Sequence, residues 1–173
     1  MKIVFDSEAE LEAYIHNKFK ESGVVCIDGS EPDFFERQFN CGLYGIADLV
    51  SFSIRDYTHH KEIDVTVYEL KKEKITSDAF AQVSRYATGI RQTIEKIDGC
   101  MEGVITCVLV GPEIDESCYI LNQSEFLFYS PYFNLESGVE FNEESSGWHR
   151  AEEAPIKSII DMVSAFNRMD EPK

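Results

Sequence analysis

Three short stretches hold residues able to do chemistry. In YELKKEK, residues 68–74, a carboxylate (Glu69) and an ammonium (Lys71) stand two apart at the end of an apolar, β-branched run. Residues two apart on a strand project from one face, so Glu69 and Lys71 point together while Leu70 points to the other side. A carboxylate beside an ammonium can hold a hard cation and orient a water next to it. Taken alone, the triplet reads first as a solvated ion pair of small energetic weight. In GIADLV a lone acid, Asp48, interrupts an apolar run. Burying it unpaired would cost on the order of several kcal/mol, so it requires a partner, a metal or an exposed sheet edge. Opposite Glu69 on a neighbouring strand it would supply a second oxygen ligand for Mg²⁺; a capping or bulge aspartate is the competing account. In AFAQVSRYATGI, Gln82 and Tyr86 are i, i+4 neighbours on one helix face; a tyrosine there most often belongs to the core, whereas a glutamine at the buried edge of a helix is harder to assign to packing.

The elements that must position these residues follow from periodicity. Ser7 or Asp6 can cap a first helix over 7–21, with Leu11, Ile15 and Phe19 as its apolar stripe and Gly23 beyond its end. FFERQFN, GIADLVSFSI and EIDVTVYEL read as three strands of a meander, with RDYTHHK as a hairpin tip. From Ser77 the period becomes helical, through Ala79, Val83, Tyr86, Ala87 and Ile90, which predicts a helix over 78–98 capped by Ser77 or Asp78 and terminated by Gly99. GVITCVLVG, a continuous apolar run between glycines, is a buried strand over 103–110, and strand–helix–buried strand implies a crossover and a parallel pair. Beyond Pro112 the pattern offers CYIL as a strand, the aromatic stretch from Phe126 to Phe133 as core or interface, and a last helix from Pro155 to Asn167.

The order Asp48, then Glu69-Leu70-Lys71 on the next strand, then Gln82-x-x-x-Tyr86 on the following helix resembles the PD-(D/E)XK nuclease superfamily. The resemblance covers about residues 7–110 and implies an α/β fold: an αβββαβ restriction-endonuclease-like core whose mixed central sheet is flanked by helices, here with an acidic C-terminal extension over 111–173. It further implies that Asp48 and Glu69 bind Mg²⁺ (Mn²⁺ as the alternative), that Lys71 positions or activates the attacking water, and that Gln82 contacts the site or its nucleic acid. A metal-facing glutamate on the first helix would be Glu8, with Glu12 second, since both flank Leu11 whereas Glu10 falls away. An acidic first turn also serves the helix dipole, which accounts for any one of the three equally well. Ala47 occupies the place of the proline in the family's name.

Composition bounds the partners. The 173 residues fit one domain, and no run approaches the ~20 apolar residues of a membrane span, so a soluble cytoplasmic protein is expected. Five scattered cysteines form no CxxC pair and read as reduced thiols. The net charge of −16 argues against a polyanionic partner, but its distribution softens the objection: residues 1–54 carry −6, 55–96 carry +1 and 97–173 carry −11. Lys72, Lys74, Arg85 and Arg91 share the near-neutral middle segment with the candidate site, as phosphate contacts or as plain solvated charges. No GxSxG, P-loop or GxGxxG is present, and His59-His60 lacks a third ligand at metal spacing. The expectation is a Mg²⁺-dependent nuclease hydrolysing DNA phosphodiesters, an endonuclease in the first instance, with a homodimer suited to double-strand cutting. The rival is a catalytically silent nuclease-fold protein whose acidic third engages a basic protein or imitates DNA.

Overall fold

The structure, a computed structural model, describes residues 5–115, 118 and 126–144. Helix α1, Glu8–Ser22, is capped by Ser7, whose side chain accepts from the Glu10 amide, and closed by Gly23 in the left-handed region at φ 74°. Strands β1 (Phe34–Asn40), β2 (Ile46–Asp56) and β3 (Lys61–Leu70) form the antiparallel meander. After the two-residue β4 (Lys74–Ile75), helix α2 (Ser77–Ile94) crosses over to β5 (Cys100–Val110), which lies parallel to β3. Residues Glu113–Ile114 form β6, paired with β4, and Phe126–Asn134 and Gly138–Glu143 form β7 and β8. The main sheet runs β1-β2-β3-β5-β7-β8, mixed because β3, β5 and β7 are parallel while both flanks are antiparallel.

The alternation of β3 sorts its side chains between two apolar layers. Val65 and Val67 pack with Ile105, Cys107 and Leu109 of β5 beneath Phe80, Val83, Tyr86 and Ile90 of α2. Tyr68 and Leu70 pack on the other face with Leu49, Val108 and Val110 beneath Leu11 and Ile15 of α1. A strand covered on both faces has no polar side to show, which is why β5 reads as a continuous apolar run. The αβββαβ order read from periodicity is the order observed, with the predicted crossover between β3 and β5.

Three details differ from expectation. The N-cap of α2 is Thr76, with no side-chain capping bond, rather than Ser77 or Asp78. The helix stops at Ile94, where Lys96 and Ile97 donate to carbonyls three residues back and tighten the chain; Gly99, at φ 76°, serves the turn into β5. Strand β5 also starts at Cys100, three residues early, because Lys61 and Cys100 pair at its beginning. The aromatic stretch from Phe126 becomes β7, which with β8 carries the sheet past residue 110, and Phe128 and Tyr129 are buried. Most of CYIL, and the helix expected from Pro155 to Asn167, lie outside the described residues. Among the described residues no helix is long and apolar enough to cross a membrane.

Candidate active site

The meander register brings the two strand acids together. Leu49 pairs with Tyr68 and Val50 with Val67, so the same antiparallel register sets Asp48 opposite Glu69, on the face that α2 covers. Asp48 is half-buried, and its Oδ2 accepts from the Leu70 amide at 2.8 Å, which pins the carboxylate across the strand gap. Glu69 is 1% exposed. Its Oε1 accepts from Lys71 Nζ at 2.6 Å, whereas its Oε2 is buried with no hydrogen-bond partner among the described residues. The Lys71 amide donates to the Val110 carbonyl at 2.7 Å, so Lys71 leaves the sheet with its backbone still anchored to β5.

Glu8, in the first turn of α1, is exposed and reaches the end of β3, where its Oε1 accepts from the Lys72 amide at 3.3 Å. Glu8 and Lys71–Lys74 border an open cleft of about 650 Å³ together with Asp6, Ser7 and Ala9. Glu12 has a different station. It is buried, with Arg37 Nε at 2.5 Å on one oxygen and Gln38 Nε2 at 2.6 Å on the other. On α2, Gln82 Nε2 donates to the Tyr86 hydroxyl at 2.8 Å, and the Tyr86 ring lies against Gly45, where an added Cβ would sit 2.9 Å from it.

Three acids therefore surround one ammonium. Burial pushes the Glu69 carboxyl up to about 7, with the charges of Asp48 and Glu8 acting in the same direction and Lys71 only partly offsetting them. Asp48 is raised as well, chiefly by burial, against the opposing Leu70 hydrogen bond and Lys71 charge. Burial would lower Lys71, but its bond to Glu69 and the charges of Glu69, Glu8 and Asp48 outweigh that, and the ammonium ends above its usual value. Burial first, and then the charges of Glu69 and Asp48, raise the Tyr86 phenol against the lowering hydrogen bond to Gln82. Lys71 is thus a firm cation.

A divalent cation fits this chemistry: two acids share a face, the surplus charge is negative, and a buried carboxylate oxygen lacks a partner. The structure sets Asp48 opposite Glu69 and bonds Glu69 to Lys71, with the Gln82–Tyr86 pair on the helix that covers the same sheet face. Glu8 stands at the rim, and among the described residues no three His, Cys, Asp or Glu side chains converge tightly enough to hold a metal ion. Sequence reasoning passed over Arg37 and Gln38. Gln38 falls opposite Asp48 in the β1–β2 register and adopts φ 48°, a left-handed backbone uncommon outside glycine, while its side chain holds Glu12. No periodicity marks such a residue, because the contact that holds it comes from a helix 26 residues earlier in sequence.

Neither a protein-family profile nor a curated protein matches the sequence. Among solved structures the chain is similar to a repair endonuclease from Pyrococcus abyssi, at 23% identity and a TM-score of 0.44 over 74% of this chain and 48% of that one. It is also similar to EndoMS in a complex with double-stranded DNA, at 22% identity and a TM-score of 0.45 over 75% of this chain and 46% of that one. The chain spans about half the length of each.

Proposed function

We propose that this chain is a metal-dependent nuclease of the PD-(D/E)XK type that hydrolyses phosphodiester bonds within DNA. The observation that carries the reading is the buried Glu69, opposite Asp48 on one sheet face, with one oxygen on Lys71 and the other unpartnered among the described residues. Asp48 and Glu69, with Glu8 as the third candidate, are the residues that would hold Mg²⁺ or Mn²⁺, which when bound would neutralise phosphate charge and acidify a water.

The chain's own groups have distinct tasks in this reading. Hydrolysis forms a bond from a water oxygen to phosphorus and breaks the phosphorus–oxygen bond opposite it, with negative charge building on the remaining oxygens. Lys71, fixed as an ammonium, donates toward that developing charge or orients the water, and the backbone bond to Val110 holds it in place. Gln82, steadied by the Tyr86 hydroxyl, presents a neutral amide to the same face. Lys72, on the open cleft beside Glu8, is a candidate contact for the phosphate backbone.

The test is incubation of supercoiled and linear DNA with the wild-type chain, Glu69→Ala and Lys71→Ala in Mg²⁺, Mn²⁺ or EDTA. Metal-dependent nicking that both substitutions abolish supports the reading. Nicking that survives either substitution excludes this site as its source. A wild-type chain that leaves DNA intact yet binds a basic protein supports the silent acidic module instead.

A further inference from the structure

Leu43 is fully exposed, at 105% of the reference area, on the tip of the 3₁₀ turn Gly42–Tyr44 that joins β1 to β2. Single exposed leucines are ordinary, and on a loose loop this one would need no account. The turn, however, is tied at both ends and seated on α2. The Cys41 amide donates to the Gly45 carbonyl at 2.8 Å, and the Gly42 amide donates to Asn40 Oδ1 at 2.9 Å. Gly42 and Gly45 adopt φ 66° and 113°, conformations that glycine alone takes readily. The Tyr44 ring fills a notch in α2 at Gly89, where an added Cβ would lie 2.7 Å from the ring and 2.9 Å from the Cys41 carbonyl, and the Tyr44 hydroxyl donates to Gln92 at 2.9 Å. A glycine inside a helix weakens it, so helix stability is given up at Gly89 where the turn is seated. The outcome is one apolar side chain held out rigidly into solvent.

Its position relates it to the site. Leu43 precedes Asp48 by five residues, no more than about 18 Å of fully extended chain, and Tyr86, packed on the sheet face that carries both acids, rests its ring on Gly45 of the same turn. Arg85 lies one helical turn before Gly89 on the side of α2 that receives Tyr44, and it is exposed with no ion pair among the described residues. We propose that Leu43 is a wedge that enters the base stack of duplex DNA beside the scissile phosphate, with Arg85 on a flanking phosphate. Leucine is among the side chains that part base steps in this way. A protein partner fits less well, since a stable interface takes about 800 Å² from each side and, among the described residues, the large exposed apolar side chains of this projection are Leu43 and the half-exposed Ile46, beside the Arg85 cation.

This inference rests on the nuclease reading, and its test separates the two. Duplexes carrying 2-aminopurine in place of single adenines are bound by wild type, Leu43→Ser and Arg85→Gln in Ca²⁺, with cleavage in Mg²⁺ measured alongside. Wild type should raise the fluorescence at one step. Leu43→Ser should abolish the rise and weaken duplex binding about ten- to a hundredfold, the loss of burying one leucine, while single-strand binding and the melting temperature stay unchanged. Arg85→Gln should weaken binding at every sequence and lower the salt slope by about one. A wild type that cuts DNA without a fluorescence rise, or a Leu43→Ser chain that keeps it, overturns the wedge and leaves the nuclease reading intact. A wild type that neither cuts nor binds overturns both. A change of oligomeric state in Leu43→Ser assigns the tip to a second copy of the chain and also overturns the wedge.

Discussion

Replacing Glu69 with glutamine should make the metal-free protein more stable at pH 8 while removing its activity. The Glu69 carboxyl rises from 4.5 to about 7 on folding, and at ~1.4 kcal/mol per unit the ionised form costs about 3 kcal/mol relative to the unfolded chain. Because the folded carboxyl holds its proton more tightly than the unfolded one, the associated stability is complete below pH 4.5 and is lost as the pH climbs through 7. Glutamine keeps the shape and removes the charge. It also gives up the charge-assisted bond to Lys71, whose side chain is 23% exposed and can turn partly to water, so the net gain at pH 8 is about 1–2 kcal/mol, or roughly 3–8 °C in melting temperature for a chain of this size. The assay is thermal unfolding of wild type and Glu69→Gln in EDTA from pH 4.5 to 8.5, repeated with Mg²⁺. Wild type should lose stability relative to the variant as the pH rises and recover it with the metal, which the variant should not do. A variant less stable than wild type at pH 8, or a difference that does not change with pH, would refute the account of Glu69 as a strained acid awaiting a cation.

Three other substitutions probe the supports of the site. Lys71→Ala should act oppositely to Glu69→Gln on stability, lowering it by about 1–3 kcal/mol at pH 8 by leaving the buried carboxylate uncompensated, and should cut DNA cleavage at least ~100-fold; denaturant midpoints and single-turnover rates check both. Glu12→Ala removes the acceptor of both Arg37 and Gln38, and should cost about 2–3 kcal/mol with faster amide exchange through β1 as Gln38 leaves its left-handed backbone. Leu109→Ala, at a fully buried position paired with Glu69 in the β3–β5 register, should cost about 2–5 kcal/mol by opening a cavity, read as a shifted urea midpoint with an unchanged slope.

The legible parts of the molecule were those where one local pattern had one structural meaning. The period-2 run ending at Leu70 meant a strand, and it set Glu69 and Lys71 on one face before any partner strand was known. The apolar run of β5 meant a strand covered on both sides, and with α2 before it a parallel crossover. The C-terminal end of α2 was less legible, because Gly99 marks a turn whether or not the helix reaches it, and the three-residue hydrogen bonds after Ile94 leave no trace in the periodicity. Glu8 and Glu12 were indistinguishable by spacing, since both flank Leu11. Their fates diverge because β1 delivers Arg37 and Gln38 to Glu12, whereas Glu8 meets the Lys72 amide at the cleft.

The sequence by itself determined the types of the reacting groups, their faces on strand and helix, and the order of the elements that carry them, because side-chain direction follows backbone period. Only the tertiary structure decided that Asp48 stands directly opposite Glu69, that one oxygen of Glu69 is buried without a partner among the described residues, that Lys71 remains charged, and that Leu43 stands fully exposed on the turn that leads into β2. Register, burial and electrostatic surplus are properties of neighbours distant along the chain, and no local pattern of residues encodes how closely those neighbours approach.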